Sequence, residues 1–422
     1  EEAPSPGLNP ETRDEICAQA VKLVSSIDYV GAGTVEFLVD DASGEHFFLE
    51  VNARIQVEHP VTELVTRVDL VQAQLRVAMG EPLAWTQDQI EVRGHAVEVR
   101  LCAEDPQDDH RPQAGPILTW RPPDGIRVDS ALNAVDEVSV YYDSMVAKLI
   151  AFGADRATAI RKLRRALDET ELYGIANNQA FLAAVLDHSA FRAGHTTTQF
   201  LIEHKIAPQQ SALSPSWYVA AALVRNAQPV SRRWRSNPSR ADVTVIERTN
   251  GEFAHVYLEQ LDADTWRFAV DQDPEPALHA PMLADQRVQI LGQGQGWIRL
   301  EISGFVQTYR VTDVEAGLWI QRPGHCAERL QEGTLLPAPE VEQLDEGAVV
   351  APSAAMVTQV HVQSGQTIDE GAALVTVEAM KMLTVLKAPR AGTIEAVNCA
   401  QGDNVSSGQV LVELSAEDDE TP

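Results

Sequence analysis

Six polar residues carry the first chemical signal: Glu36, and then Glu50, Asn52, Arg54, Gln56 and Glu58 at alternate positions of FLEVNARIQVEHP, residues 48–60. Taken as extended chain, these even positions share one face, while Leu49, Val51, Ala53, Ile55 and Val57 share the other. The plain alternative is an amphipathic strand with one face in water. A turn centred on Ser43 sets Glu36 opposite Glu50, and directly opposed like charges destabilise a sheet unless something neutralises them. A divalent cation would do so. Two carboxylates and the Asn52 amide oxygen are hard ligands that suit Mg²⁺ held jointly with nucleotide phosphates. Arg54 offers a planar fork of donors to a small oxyanion, and Glu58 an acceptor for a proton.

The second signal is VEAMKMLTVLKAP, residues 377–389, where Lys381 stands between Met380 and Met382 in an otherwise strand-like apolar run. A lone lysine is ordinarily a solvated one at a hairpin tip, but the flanks form an internal repeat. Ala351-Pro352 recurs as Ala388-Pro389, Gly365 as Gly402, Gly371 as Gly408 and Leu374 as Leu411, all at one offset. Repeated strand–turn–strand units predict two interleaved halves of a small pseudo-symmetric β-sandwich. With Glu378 and Leu383 flanking a tight turn, Lys381 falls at the tip of a hairpin opposite the domain's two ends. Methionines there suit neither core nor solubility, and read as a recognition signal.

The rest of the chain must position these groups. Residues 9–27 predict a helix, with Asn9 as cap, Pro10 in the first turn, and Ile16, Ala20, Leu23, Val24 and Ile27 on one face. GTVEFLVD and EHFFLEVNARIQVE, joined by DASG, predict a hairpin. Residues 62–79 return to helical spacing, 94–106 read as a strand, and 155–172 as a long amphipathic helix. From about 213 to 330 short alternating runs separated by Gly, Asp and Asn predict a β-barrel or sandwich, and acidic, proline-bearing 334–348 a linker. The string GQGQG at 292–296 precedes no helix and reads as a turn rather than a phosphate loop.

Composition excludes several classes. A net charge of −29, from 33 Lys+Arg against 62 Asp+Glu, repels nucleic acid and anionic membrane surfaces. Cys17, Cys102, Cys326 and Cys399 have no metal-ligand or redox spacing, which suits a reducing cytoplasm. No apolar run is long enough to span a membrane. The opening EEAPSPGLNP lacks a methionine and reads as a piece of a longer chain.

Ala379-Met380-Lys381-Met382 resembles the hallmark of the biotinyl carrier domains of biotin-dependent carboxylases. That resemblance implies biotin joined to Lys381 by a biotin protein ligase, as an arm that swings between two active sites. Lipoyl domains share the fold but set their lysine in an Asp-Lys-Ala context, so the methionines favour biotin. One departure is Ala351-Pro352-Ser353-Ala354-Ala355, where the family has Ala-Pro-Met-Pro-Gly. The chain from Gly31 to about Glu203 resembles the C-terminal half of the ATP-grasp biotin carboxylases. Its strongest pieces are Glu50-Val-Asn-Ala-Arg-Ile-Gln-Val-Glu-His-Pro60, Arg93-Gly-His-Ala-Val-Glu-Val-Arg100 and Tyr141-Tyr-Asp-Ser-Met145.

By that resemblance Glu36, Glu50 and Asn52 bind ATP with Mg²⁺ or Mn²⁺; Arg54, Gln56 and the Val57 backbone hold bicarbonate; Glu58 deprotonates it; and Arg100 stabilises the biotin enolate. The bicarbonate then takes the γ-phosphoryl group to give carboxyphosphate in a water-excluding site. The family's N-terminal domain and lysine-bearing glycine-rich lid are not found, nor is a carboxyltransferase segment. The acceptor therefore belongs to a partner carboxyltransferase β subunit in a hetero-oligomer: methylcrotonyl-CoA first, with geranyl-CoA and propionyl-CoA beside it. A non-catalytic carrier and assembly module is the competing class.

The expected fold is multidomain α+β: the C-terminal half of an ATP-grasp (1–90), a biotin carboxylase C-terminal domain (91–207), a β-barrel-like docking domain (208–333), a linker (334–348) and a flattened biotinyl/lipoyl-type β-sandwich (349–416).

Overall fold

A computed structural model describes residues 1–422 apart from 41–42, 134–135, 207–212, 227–241, 249–250, 273–285, 315–316, 324, 326, 334–346, 353, 380–381, 407 and 416–422. The first helix, Pro10–Ser25, starts where Asn9 Oδ1 accepts from Thr12 N at 2.8 Å, a cap contributing about 1 kcal/mol. None of its residues is buried, and much of the segment beyond it keeps apolar groups outward, Phe47 at 54% exposure among them.

The hairpin of Thr34–Val39 and His46–Asn52 sets Glu36 opposite Glu50, with a bulge between Glu36 and Phe37 that shifts the register towards the turn. The extended reading of 48–60 fails past Asn52. The strand stops there, and Glu58 is the N-cap of the helix His59–Thr66. The helical stretch read over 62–79 is two helices, because Arg67 turns left-handed (φ 60°) and Asp69 caps a second one, Leu70–Ala78.

The next unit is built on an antiparallel sheet in the order Glu2–Ala3, His95–Cys102, Met145–Gly153, Arg127–Ser130. Alternation splits its residues between two faces. Val97, Val99, Leu149 and Ala151 pack against Ile160, Leu163 and Leu167 of the helix Arg156–Glu169. Ala96 and Ile150 pack against Val61 and Val65 of His59–Thr66. The second face therefore also receives Glu98, Arg100 and Lys148, which alternate with the first set.

Residues 242–332 close into an eight-stranded antiparallel barrel, Asp242–Arg248 pairing with both Phe253–Gln260 and Glu328–Glu332. The strand reading from 213 missed a helix, Pro215–Asn226, whose Trp217–Leu223 stretch is buried within the barrel's apolar cluster. A helix apolar on every side belongs inside a core, and shows no amphipathic period to find. GQGQG lies at a hairpin end as expected: Gly294 and Gly292 lie under the Trp297 ring, where a Cβ on Gly294 would meet the indole nitrogen at 2.7 Å.

The last unit is a sandwich of two four-stranded sheets, which pair up under the repeat. Gly365, Gly371, Gly402 and Gly408 all have φ between 78° and 93°, the left-handed region that favours glycine. The halves even share hydrogen bonds: Gly371 N donates to Ala388 O at 2.9 Å, and Gly408 N to Ala351 O at 2.8 Å. Its first strand, Ala348–Val350, begins at the last residue of the stretch read as linker; 334–346 lie outside the described residues.

Candidate functional site

The predicted polar residues meet where the hairpin end and a helix start converge. Asn52 Nδ2 donates to Glu36 Oε1 at 2.8 Å and to Glu50 Oε1 at 3.0 Å, and Gln56 Nε2 donates to Glu36 Oε1 at 2.7 Å. Arg54 lies alongside, 3.4 Å from Asn52 Oδ1 and 3.2 Å from the Ile55 carbonyl. One amide group thus stands between two carboxylates that face each other across the hairpin. A cation in that place would have two hard oxygens at hand, and half a turn of the Asn52 amide would bring a third. Among the described residues no group of three or more His, Cys, Asp and Glu could hold a metal ion. The donor set therefore fits an ion shared with phosphate oxygens rather than one caged by protein alone.

Glu58 caps its helix through its carbonyl only, the side chain making no cap bond, which leaves the carboxylate turned to Arg100 Nη2 at 3.2 Å. Glu1 also reaches Arg100 Nη2, at 2.7 Å. Arg100 pairs directly with Lys148 across the sheet. Two cations so placed need anions around them. Lys148 Nζ donates to the Val57 carbonyl at 2.8 Å and lies 3.5 Å from Asp129, which Arg127 ties to Glu63 of the capped helix at 2.6 Å. This chain of charges seats the helix, and with it Val57 and Glu58, on the sheet.

Sequence reasoning missed Glu98 and Lys148. Lys148 had a signal, being a single lysine inside the apolar run MVAKLIAF. Glu98 is 1% exposed with neither oxygen hydrogen-bonded, and burial pushes its carboxyl up to about 7 against the pull of Lys148. Burial also raises the Cys102 thiol to about 12, so it is inert.

At the other end, Ala379 pairs with Met382 and Glu378 with Leu383 in the hairpin of Ala373–Ala379 and Met382–Lys387. Met380 and Lys381 lie outside the described residues. No helix among the described residues is long and apolar enough to cross a membrane.

Family models match in three places: "Biotin carboxylase C-terminal domain" over 98–203, "Carbamoyl-phosphate synthase L chain, ATP binding domain" over 1–86, and "Biotin-requiring enzyme" over 342–414. Across 98% of its length the chain is 33% identical to the propionyl-CoA carboxylase alpha chain of Ruegeria pomeroyi, covering 65% of it. The chain is a homologue of acyl-CoA carboxylase α subunits. The mitochondrial methylcrotonoyl-CoA carboxylase subunit alpha of Rattus norvegicus is 31% identical over 99% of the chain, which covers 60% of that protein. The homologue thus spans less than two thirds of either relative. Among solved structures, Rhizobium etli pyruvate carboxylase matches 53% of the chain at 35% identity with a TM-score of 0.50, the match covering 23% of that protein.

Proposed function

We propose that this chain serves ATP- and bicarbonate-dependent carboxylation of biotin carried on Lys381, and delivery of the carboxyl group to an acyl-CoA on a partner carboxyltransferase β subunit. The observation that carries this reading is the convergence of Glu58 with Arg100 beside the Glu36–Asn52–Glu50 cluster. Arg54, Gln56 and the Val57 backbone hold the bicarbonate oxygens, and Glu58 takes its proton as the oxygen attacks phosphorus. The cost of separating Glu58 from Arg100 is small, because both are partly exposed. Glu36, Glu50 and Asn52 would hold Mg²⁺ or Mn²⁺, which supplies charge neutralisation on the nucleotide phosphates. Biotin, when attached, supplies a nucleophilic nitrogen on a tether; Arg100 then faces the negative charge that develops on it. Similarity to both propionyl- and methylcrotonyl-CoA enzymes leaves the acceptor class as short or branched acyl-CoA, with methylcrotonyl-CoA our first choice.

The test is bicarbonate-dependent ATP hydrolysis by this chain with Mg²⁺ and free biotin, against Glu58→Gln. The expected result is turnover that falls at least about a hundredfold in the variant, the range for a lost general base. Equal rates would remove Glu58 from the mechanism. No turnover, with biotin found on Lys381 by peptide mass and absent from Lys381→Arg, would replace this reading with that of a carrier module.

A further inference from the structure

Beneath the contact between Glu58 and Arg100, a buried donor and a buried acceptor go unused. Glu98 is 1% exposed, and neither of its carboxylate oxygens receives a hydrogen bond. Arg100 Nε is buried as well and has no acceptor. The two residues stand two apart on the strand His95–Cys102, so their side chains leave the same face. A buried carboxylate without a donor is costlier than an ordinary missing bond, and it calls for a reason.

The elements packed around Glu98 spend their polar groups elsewhere. Opposite it on Met145–Gly153 is Ile150; Lys148, two residues before, gives Nζ to the Val57 carbonyl at 2.8 Å and lies 3.5 Å from Asp129. On the helix His59–Thr66, Glu63 accepts from Leu70 N and Arg127. Glu1 meets Glu98 through the backbone alone, while its side chain reaches Arg100 Nη2. Burial raises the Glu98 carboxyl to about 7, with Lys148 pulling the other way. Arg100 is drawn outward at its far end, where Nη2 lies 3.2 Å from Glu58 and 2.7 Å from Glu1. In the reaction proposed above, Glu58 takes a proton from bicarbonate, and a neutral carboxyl holds a guanidinium far more weakly than a charged one. Arg100 thus loses an anchor just as charge develops on biotin.

We propose that Glu98 is the second anchor of Arg100: a positioning residue that accepts from Arg100 Nε once Glu58 is neutral, and so keeps the guanidinium aimed while its outer nitrogens meet the substrate. The proposal rests on the function proposed above for the event that neutralises Glu58, but the exchange of partners is measurable without catalysis.

The experiment is a set of melting temperatures of the full chain at pH 8, with Glu58→Gln standing in for the protonated base. In the parent, Glu98→Gln removes a buried unpaired charge and is expected to raise the melting temperature by about 3 °C. In the Glu58→Gln background Glu98 has gained Arg100, and the same substitution should bring no gain or a loss. Two carboxylates also repel each other directly, so the comparison is repeated with Arg100→Met. Repulsion would carry the coupling between positions 58 and 98 into that background, whereas an exchange of Arg100 between them leaves none. Equal gains in the first two backgrounds, or coupling that survives Arg100→Met, would each overturn the proposal. Kinetics add a readout that stability alone does not move: Glu98→Gln should lower kcat/KM for free biotin about tenfold and leave the KM for bicarbonate unchanged. An unchanged kcat/KM for biotin would likewise overturn it. A chain that never hydrolyses ATP would sink the proposed catalysis, while the melting temperatures still decide whether Arg100 has two anchors.

Discussion

Gln321 and Tyr173 meet where the barrel joins the carboxylase-like region and are almost wholly buried, whereas Asn404 and Tyr141, where the carrier meets the same region, stand in solvent. At the barrel join Tyr173 Oη donates to Gln321 Oε1 at 2.8 Å, its ring stacks on Trp319, and Gln321 Nε2 reaches the carbonyls of Asp168, Thr170 and His325. Buried Glu171 accepts from both Arg121 and Arg310. The first join excludes water and saturates its polar groups. The second leaves them half-solvated, and buried bonds are the costly ones to lose. The comparison teaches that the barrel is fixed to its neighbour, while the carrier rests on it.

The hardest blow to that comparison comes from Gln321→Leu. It strands the Tyr173 hydroxyl and takes the amide from the Asp168 and His325 carbonyls, while Thr170 O still accepts from Gln179 Nε2, and we expect a loss of about 2–4 kcal/mol. Calorimetry should show the barrel and the carboxylase-like region unfolding in separate transitions where the parent shows one. A variant that keeps the single transition would mean that the join does not depend on Gln321.

How much of this was legible beforehand depends on the kind of signal. The carrier repeat was readable because each left-handed turn demanded a glycine, and Gly365, Gly371, Gly402 and Gly408 stand at matching positions. The Glu36–Glu50 opposition was readable from hairpin symmetry, although the bulge shifts the register nearer the turn. Grouping 50–58 found residues that do meet, but for a reason other than the one assumed. Gln56 and Glu58 are brought in by a turn and a helix cap rather than by an unbroken strand. The helix at 215–226 escaped because its buried Trp217–Leu223 stretch shows no polar face. Glu98 and the two joins depend on which strands and domains meet, information that no local pattern holds.

A middle-sized effect separates the joins from the region they share. Glu98 faces the interior of that region, and burial raises its carboxyl from 4.5 to about 7. Below pH 4.5 it is protonated folded and unfolded alike, and there is no penalty. Between those values the folded state keeps a proton that the unfolded state has lost, so stability falls as pH rises, and above 7 the full cost of the buried charge is present. Glu98→Gln should therefore stabilise by about 1–2 kcal/mol above pH 7, with solvent screening allowed for, and by nothing below pH 4.5. Melting temperatures taken across that range check it. A gain equal at every pH would mean that the glutamine simply packs better.

The smallest effect belongs to the carrier. Asn404 is exposed and gives Tyr141 one bond that water can replace on both sides, so Asn404→Ala should change global stability by less than about 0.5 kcal/mol. Should Asn404→Ala lower the melting temperature as far as Gln321→Leu does, the carrier would be a fixed element of the structure. It could then not shuttle between distant sites without first breaking a join as strong as the barrel's.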